Sequence, residues 1–343
     1  MTKLSPVFRT FLAVSMCLSL HWSASAFNKT ASPDDIGPEI SLQRSSDNLF
    51  TMEVTINGSP SVPMIVDTAA AISGIRPALS QQLSLPVYTK ERIVHGLVAS
   101  ESASSVHIQN MATSMREYEG PSIIISDSEA ISDPSVMGIV GMDFLSNDKE
   151  ENRYLLINFL DGHIISADKI PDLFQGKNIR NLQWNKVIDF DRNLISFEAK
   201  ISKIKSTVIL DTGINFTVAN GELARQLQKR GNSLATTIVT DVHGEEDSIR
   251  HINIGEIKTS YMIWSTARAL VHDSPAIAHL KLDQTPTLLM GLNHLKKLGF
   301  ILDRKKNKIS FVDARMMREE DQSCTGSRIS CSDAMWSHFN YNR

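Results

Sequence analysis

The chain has 343 residues, of which 42% are hydrophobic and 21% are charged, and its formal net charge is −3. This balance excludes a mostly disordered chain, gives no sign of a nucleic-acid partner and leaves room for two domains of ordinary size. Three cysteines are too few for a cysteine-rich metal site.

The first predicted element is a secretory signal peptide over residues 1–26. Lys3 and Arg9 precede the apolar run Phe11–Leu20, and Ala24-Ser25-Ala26 supplies small residues at a cleavage point. A membrane anchor is the alternative, but this run is shorter than the roughly 20 apolar residues that span a bilayer. Cleavage predicts a periplasmic or secreted protein with no membrane segment and a net charge of −5.

Residues 27–44 contain two prolines and a glycine and show little apolar periodicity, so we interpret them as a lead-in segment outside the core. The first strand is predicted at Phe50–Ile56, where apolar residues occupy every second position. Asn57-Gly58 then predicts a turn.

Two apolar runs each end on an aspartate. Met64-Ile65-Val66 leads into Asp67-Thr68-Ala69, and 144 residues later Val208-Ile209-Leu210 leads into Asp211-Thr212-Gly213. Each run predicts a buried strand that presents a carboxylate where a rigid element meets a loop. Either motif alone is typical of an ordinary turn, so its repetition carries the interpretation.

The residues after the two acids stay in register without a gap. Ser73 and Thr217 both lie six residues beyond their aspartate. Leucines recur twelve and sixteen residues beyond both aspartates and predict two equivalent helices. These leucines are Leu79, Leu83, Leu223 and Leu227.

Two hairpins are predicted further along, one carrying His95-Gly96 and the other His243-Gly244. Ile139-Val140-Gly141 is then matched by Leu289-Met290-Gly291, each followed by an apolar residue and Asp or Asn. The sequence therefore predicts two copies of one mostly β unit.

The predicted units span residues 45–172 and 182–316, and a tail follows at 317–343. Cys324 and Cys331 in the tail are predicted to form a disulfide in an oxidising compartment. Cys17 raises lipidation as a further alternative for the N-terminus, which the large Met16 before it disfavours.

These motifs resemble the retropepsin-like aspartic peptidases, in a two-lobe bacterial form. In that family each lobe carries apolar-apolar-Asp-Thr/Ser-Gly, a later Ser or Thr, a flap hairpin with a glycine, and apolar-apolar-Gly before a short helix. The resemblance implies a mostly all-β fold of two pseudo-symmetric closed β-barrel lobes, with short helices and a cleft between them. The second lobe fits best, whereas the first departs from the family pattern at Ala69.

The resemblance also implies the chemistry. One of Asp67 and Asp211 would act as general base on a water molecule and the other as general acid on the carbonyl oxygen, without metal or cofactor, and the sequence leaves the two roles unassigned. Thr68 and Thr212 would hold the two loops together, with Ala69, Gly213, Ser73 and Thr217 as further support. His95, Gly96, His243 and Gly244 would belong to flaps that close over a peptide or protein substrate. The enzyme would act as a monomer across an internal pseudo-two-fold axis.

Ala69 leaves two alternatives open. If its backbone angles suit alanine the cost is small, but if they require a positive φ the loop shifts and the aspartates separate. A pseudopeptidase that binds peptides or a partner without cutting is the main alternative. Activity through homodimerisation of the second lobe is a further alternative.

Zinc hydrolase, serine hydrolase and nucleotide-binding motifs do not occur in the sequence.

Overall fold

The structure is a computed structural model that describes residues 39–114, 116–126, 131–146, 152–174, 179, 182–188, 194–240 and 246–313. The predicted signal peptide, His243-Gly244 and the cysteine-bearing tail lie outside these residues. No helix in the described ranges is long and apolar enough to cross a membrane.

The described ranges consist mainly of strands, since the apolar runs of the sequence alternate or continue at strand period. The strands of the first half are β1 Glu39–Ser41, β2 Gln43–Arg44, β3 Phe50–Ile56, β4 Val62–Val66, β5 Gly74–Ile75, β6 Val87–His95, β7 Ser100–His107, β8 Asn110–Ala112, β9 Glu117–Glu119, β10 Ser122–Ile125, β11 Gly138–Val140, β12 Tyr154–Asn158 and β13 His163–Ala167. The strands of the second half are β14 Asn185–Lys186, β15 Ser196–Ile201, β16 Ile204–Leu210, β17 Val218–Ala219, β18 Leu234–Thr240, β19 Glu246–Lys258, β20 Ile263–Val271, β21 Thr287–Met290, β22 Leu298–Asp303 and β23 Lys308–Asp313.

The helices are short and connect strands. They are α1 Pro77–Gln82, α2 Met142–Leu145, α3 Gly221–Lys229, α4 Pro275–His279 and α5 Leu292–Leu295, with a 3₁₀ helix at Ile170–Phe174. Pro77 opens α1, as the sequence predicts, because proline tolerates the first helical position. The side chain of Asn220 caps α3 by accepting a hydrogen bond of 3.0 Å from the Leu223 backbone amide.

The strands that end on the two aspartates occupy the same place in their sheets. β4 pairs antiparallel with β3 and parallel with β11, where Ile65 lies opposite Ile139. β16 pairs antiparallel with β15 and parallel with β21, where Ile209 lies opposite Leu289. Each strand is therefore flanked on both sides, which buries the residues that precede the aspartate.

The sheets curl on themselves. In the second half β19 pairs with β20 and again with β15, so the sheet closes into a barrel. In the first half β8 pairs with β3, the equivalent of β15. The prediction of a mostly β fold with barrel lobes and few short helices is confirmed.

A six-stranded sheet contains strands of both halves, in the order β1-β13-β12-β22-β23-β14. At its centre β12 and β22 run antiparallel, with Leu156 opposite Ile301. Arg153 and Asp303 add a two-pronged ion pair with N–O distances of 3.0 and 2.6 Å. The two halves of the chain therefore share one sheet.

Part of the predicted lead-in segment belongs to the folded body. Residues Glu39–Ser41 form β1 and pair with β13, and Ile40 is buried. The interpretation of residues 27–44 as lying outside the core is therefore wrong for Ile40. A strand of three residues is too short to show an alternating pattern in the sequence.

Candidate active site

Asp67 and Asp211 stand at the carboxyl ends of β4 and β16. The Asp67 backbone amide donates to the Val140 carbonyl at 3.0 Å, and the Asp211 amide donates to the Met290 carbonyl at 3.0 Å. The parallel pairing with β11 and β21 therefore extends onto the aspartates themselves, and each carboxylate is mounted on a rigid backbone.

Two buried threonines tie the aspartate loops to each other. The Thr68 hydroxyl donates to the Leu210 carbonyl at 2.8 Å and accepts from the Thr212 amide at 3.3 Å. The Thr212 hydroxyl donates to the Val66 carbonyl at 2.6 Å and accepts from the Thr68 amide at 3.0 Å. Both side chains are fully buried, so these four bonds do not compete with water.

The two carboxylates receive different numbers of backbone hydrogen bonds. Asp67 Oδ1 accepts from the amides of Ala69 at 2.8 Å and Ala70 at 3.2 Å. Asp211 Oδ1 accepts from the Gly213 amide at 3.0 Å. Such bonds favour the ionised form of a carboxyl group, so the first loop favours ionisation more strongly than the second.

The Asp67 carboxylate lies directly against the second loop. A Cβ atom added at Gly213 would come within 2.5 Å of Asp67 Oδ2, a distance that real Cβ contacts do not reach. Glycine at position 213 therefore leaves the space that the opposite carboxylate occupies.

Burial and mutual charge set the protonation of the pair. Burial raises the pKa of Asp211 well above its usual range, and the nearby charge of Asp67 raises it further. Burial also raises the pKa of Asp67, opposed by the two amides that donate to it. Asp211 is therefore favoured as the protonated partner, and Asp67 as the ionised one.

Ala69 does not sit in a strained backbone conformation. Among the described residues it is not one of the non-glycine residues with positive φ, and Gly213 also has no φ in the left-handed range. The first of the two sequence alternatives therefore holds, because the angles at position 69 suit alanine.

Ser73 supports the first loop through α2. Its hydroxyl donates to Asp143 Oδ1 at 2.7 Å, its amide donates to the same oxygen at 2.9 Å, and its hydroxyl accepts from the Gly141 amide at 3.0 Å. Burial raises the pKa of Asp143, while the Ser73 hydroxyl bond opposes that shift. Asp143 is thus a third acid behind the site.

Thr217 takes the equivalent place behind the second loop. Its hydroxyl lies 2.8 Å from Asn293 Oδ1 and 2.7 Å from His294 Nδ1, and it accepts from the Gly291 amide at 3.2 Å. Burial lowers the pKa of His294 to about 4. A neutral amide and a neutral ring therefore replace the carboxylate of the first half.

The sequence interpretation did not assign roles to Asp143, Asn293 and His294. The sequence did contain a signal for Asp143 and Asn293, because each follows a glycine and an apolar residue at matching points of the two halves. His294 had no such signal, since Phe144 occupies its position in the first half.

The hairpin residues His95 and Gly96 lie at the turn between β6 and β7 and contact the second half near α4. His243 and Gly244 lie outside the described residues, between the paired strands β18 and β19. Within the described ranges, no group of three or more His, Cys, Asp or Glu side chains is arranged to hold a metal ion.

A pocket of about 270 Å³ opens beside the second loop. Phe216 and Thr217, five and six residues beyond Asp211, form one wall. Ile249 and Leu270 add apolar surface from the neighbouring strands, while Arg268 supplies a positive charge.

Residues 52–144 match the family model described as aspartyl protease. The match includes Asp67, Ala69 and Ser73 and ends one residue beyond Asp143, so it lies within the first half of the chain. No curated protein matches the sequence. The match indicates a peptidase with a peptide substrate at the level of the family.

Proposed function

We propose that the protein is an aspartic endopeptidase of two fused retropepsin-like lobes, residues 45–172 and 182–316, that acts as a monomer. The observation that supports this most strongly is the four-bond exchange between Thr68 and Thr212. These bonds tie together the strand ends that carry the half-buried Asp67 and the buried Asp211, and the aspartyl protease match independently points to peptide hydrolysis.

In the proposed reaction Asp67 is the general base and Asp211 the general acid. A water molecule bound between the carboxylates loses a proton to Asp67 while its oxygen attacks the scissile carbonyl carbon. Asp211 donates its proton to the carbonyl oxygen, giving a neutral tetrahedral diol. Asp67 then passes its proton to the leaving nitrogen while Asp211 takes a proton back from the diol. The C–N bond breaks, and both carboxyl groups return to their starting protonation states.

The assignment of roles follows from the asymmetry of the two loops. Two amides donate to Asp67 and one donates to Asp211, which favours ionisation of Asp67. One shared proton and one negative charge then suit a site that must both remove and supply protons.

The substrate is an extended peptide segment. The pocket beside Phe216 offers an apolar surface for one of its side chains, and β6–β7 offers a hairpin for main-chain contacts. Export through cleavage after Ala26 is part of the proposal. N-terminal sequencing of protein recovered outside the cytoplasm is expected to begin at Phe27.

Cleavage of an unbiased peptide library between about pH 3 and pH 7 tests the function. The chain lacking residues 1–26 is compared with Asp67→Asn and Asp211→Asn, and with Asp283→Asn as a matched control at an exposed site. Loss of cleavage in both active-site variants, with the control unaffected, is the expected result.

Other outcomes point elsewhere. Cleavage that survives Asp67→Asn but not Asp211→Asn would instead identify a dimer of second lobes. Peptide binding without any cleavage by the wild type would identify a pseudopeptidase.

The Ala69→Gly variant isolates the departure from the family pattern, and we expect it to change the cleavage rate by less than about tenfold because Ala69 is unstrained.

A further inference from the structure

The second aspartate loop is attached to the first half at a further point beyond the two threonines. Asn215 lies four residues after Asp211, and its side-chain amide donates a hydrogen bond of 2.7 Å to the Asp47 carbonyl. Asp47 lies between β2 and β3, 168 residues away along the chain. The first loop has Ala71 at the equivalent position, and a methyl group cannot donate. This attachment therefore belongs to the second loop alone.

Two aspartates hold the segment around Asp47 against another segment of the first half. The Asp47 carboxylate accepts from the backbone amides of Ser132 and Asp133 at 2.9 and 3.0 Å, and also from the Ser132 hydroxyl. The Asp133 carboxylate accepts in return from the Ser46 amide at 2.6 Å, and from the amide and hydroxyl of Ser135 at 3.0 and 2.6 Å. We call these two segments the aspartate clasp, residues 46–47 and 132–135. Each carboxylate binds the backbone of the opposite segment, so separating the segments breaks charge-assisted hydrogen bonds.

The Asp133 side of the aspartate clasp stays ionised in acid. The Ser135 hydroxyl and the Ser46 amide hold the pKa of Asp133 well below its usual range, because both donate to the carboxylate. A group with a lowered pKa loses its contribution to stability only when the pH falls through that lowered value. From the other side, the Arg76 guanidinium donates to the carbonyls of Ile131 and Asp133. This side of the clasp is therefore retained at about pH 3, the acidic end of the cleavage assay.

Asn215 joins the aspartate clasp to the second loop from a fixed backbone position. Its own carbonyl accepts from the Asn293 amide at 3.1 Å, within the second half. Toward the first half, Thr212 provides one attachment and Asn215 provides another three residues later. A loop attached at one point can turn about that point, whereas attachment at two points also fixes its direction. The direction of this loop determines where the carboxyl group of Asp211 points.

We propose that Asn215 is a positioning residue, which directs the Asp211 carboxyl group toward Asp67 by holding the second loop to the aspartate clasp. The effect on cleavage rests on the proposed function, whereas the attachment of Asn215 does not. Misplacement of a catalytic group by about 1 Å can slow a reaction about a hundredfold. The bonds between Thr68 and Thr212 remain when Asn215 is replaced, so we expect a smaller loss, of about tenfold.

Peptide cleavage by matched variants tests the positioning role. Asn215→Leu keeps the size of the side chain but cannot donate, and we expect kcat to fall about tenfold while KM changes less than about twofold. The control is Asn232→Leu, which removes the same kind of bond, an amide that donates to the Asn253 carbonyl at 2.8 Å, elsewhere in the second half. We expect the control to keep kcat within about twofold of the wild type. A kcat for Asn215→Leu no lower than that of the control would overturn the proposal.

Asn215→Asp distinguishes the hydrogen bond from the shape of the side chain. An ionised carboxylate cannot donate to the Asp47 carbonyl, but a protonated carboxyl group can. Relative to the wild type at the same pH, we expect kcat of this variant to be reduced about tenfold at about pH 6 and to recover to within about twofold at about pH 3, where free aspartate is mostly protonated. Asn215→Leu is expected to be impaired at both pH values. Equal impairment of Asn215→Asp at both pH values would refute the role of the bond.

The aspartate clasp is tested by combining Asn215→Leu with Asp47→Ala. Asp47→Ala keeps the backbone carbonyl that Asn215 bonds but removes the carboxylate that holds this carbonyl in place. We expect Asn215→Leu to lower kcat about tenfold in the wild-type background and less than about threefold in the Asp47→Ala background, because both changes release the same attachment. A full tenfold loss in both backgrounds would refute the role of the clasp.

Carbon-13 NMR titration of the aspartate carboxyl groups tests the same geometry without substrate, with the Asp211 signal assigned from Asp211→Asn. Burial raises the pKa of Asp211, and the nearby charge of Asp67 raises it further. A loop that loses its direction moves Asp211 away from Asp67, so we expect a lower Asp211 pKa in Asn215→Leu and an unchanged one in Asn232→Leu. An Asp211 pKa unchanged in Asn215→Leu would overturn the positioning role. The expected fall in pKa, together with no cleavage by the wild type, would refute the proposed function and uphold the positioning role.

Discussion

Replacing Thr68 with valine removes a hydroxyl group but keeps the shape of the side chain. The change deletes the bond donated to the Leu210 carbonyl and the bond accepted from the Thr212 amide. Both partners are then left in a site where the threonine side chain is fully buried. An unsatisfied buried polar group costs about 1–3 kcal/mol, so we expect the free energy of unfolding to fall by about 2–4 kcal/mol.

Urea unfolding followed by tryptophan fluorescence measures this loss. Thr68→Ser is the matched control, since it keeps the hydroxyl and removes one buried methyl group worth about 1 kcal/mol. Thr212→Val is expected to cost a similar amount. The double variant should cost less than the sum, because the two hydroxyls bridge the same pair of loops.

A free energy of unfolding for Thr68→Val within about 0.5 kcal/mol of the wild-type value would contradict this expectation. A larger loss of stability in Thr68→Ser than in Thr68→Val would contradict it as well. Either result would mean that the four bonds between the aspartate loops contribute little to the native state.

Three further predictions concern the carboxylates and the sheet between the halves. Gly213→Ala is expected to reduce kcat/KM in peptide cleavage by about a hundredfold, because the new Cβ displaces the Asp67 carboxylate; unchanged kinetics would contradict the contact. Asp211→Asn is expected to stabilise the fold more at pH 7 than at pH 4 in denaturant titrations. The pKa of Asp211 is raised in the folded state, so Asp211 contributes to stability at low pH, and this contribution is lost as the pH rises through the folded pKa. An equal effect of Asp211→Asn on stability at both pH values would argue against this. Arg153→Leu is expected to lower the free energy of unfolding by about 3 kcal/mol because it leaves buried Asp303 without its partner, whereas the double variant Arg153→Leu with Asp303→Asn should recover part of the loss.

Local patterns in the sequence predicted the elements that carry the site. Alternation over Phe50–Ile56 identified β3, and the apolar runs before Asp67 and Asp211 identified β4 and β16. The leucines of α1 and α3 marked helices at equal distances from the two acids. These features depend on neighbours within a few residues, which is the range over which periodicity carries information.

Such local patterns do not predict the contacts between the two halves of the chain. The pairing of β12 with β22 joins strands about 145 residues apart, and any apolar strand could have been the partner. The docking of Gly96 near Ser274 depends on hairpin length and direction. Burial made Asp143 an acid of altered pKa, and no single position in the sequence records burial.

The unlike residues at positions 69 and 213 have a consequence for how such a site can change by mutation. A symmetric homodimer must carry the same residue in both loops, so a glycine replaced in one loop is replaced in the other. Here both loops belong to one chain, and alanine stands in the loop where the backbone accepts it while glycine stays where the Asp67 carboxylate needs room. A single gene can thus alter one loop of the site at a time, whereas a mutation in a symmetric homodimer alters both loops together.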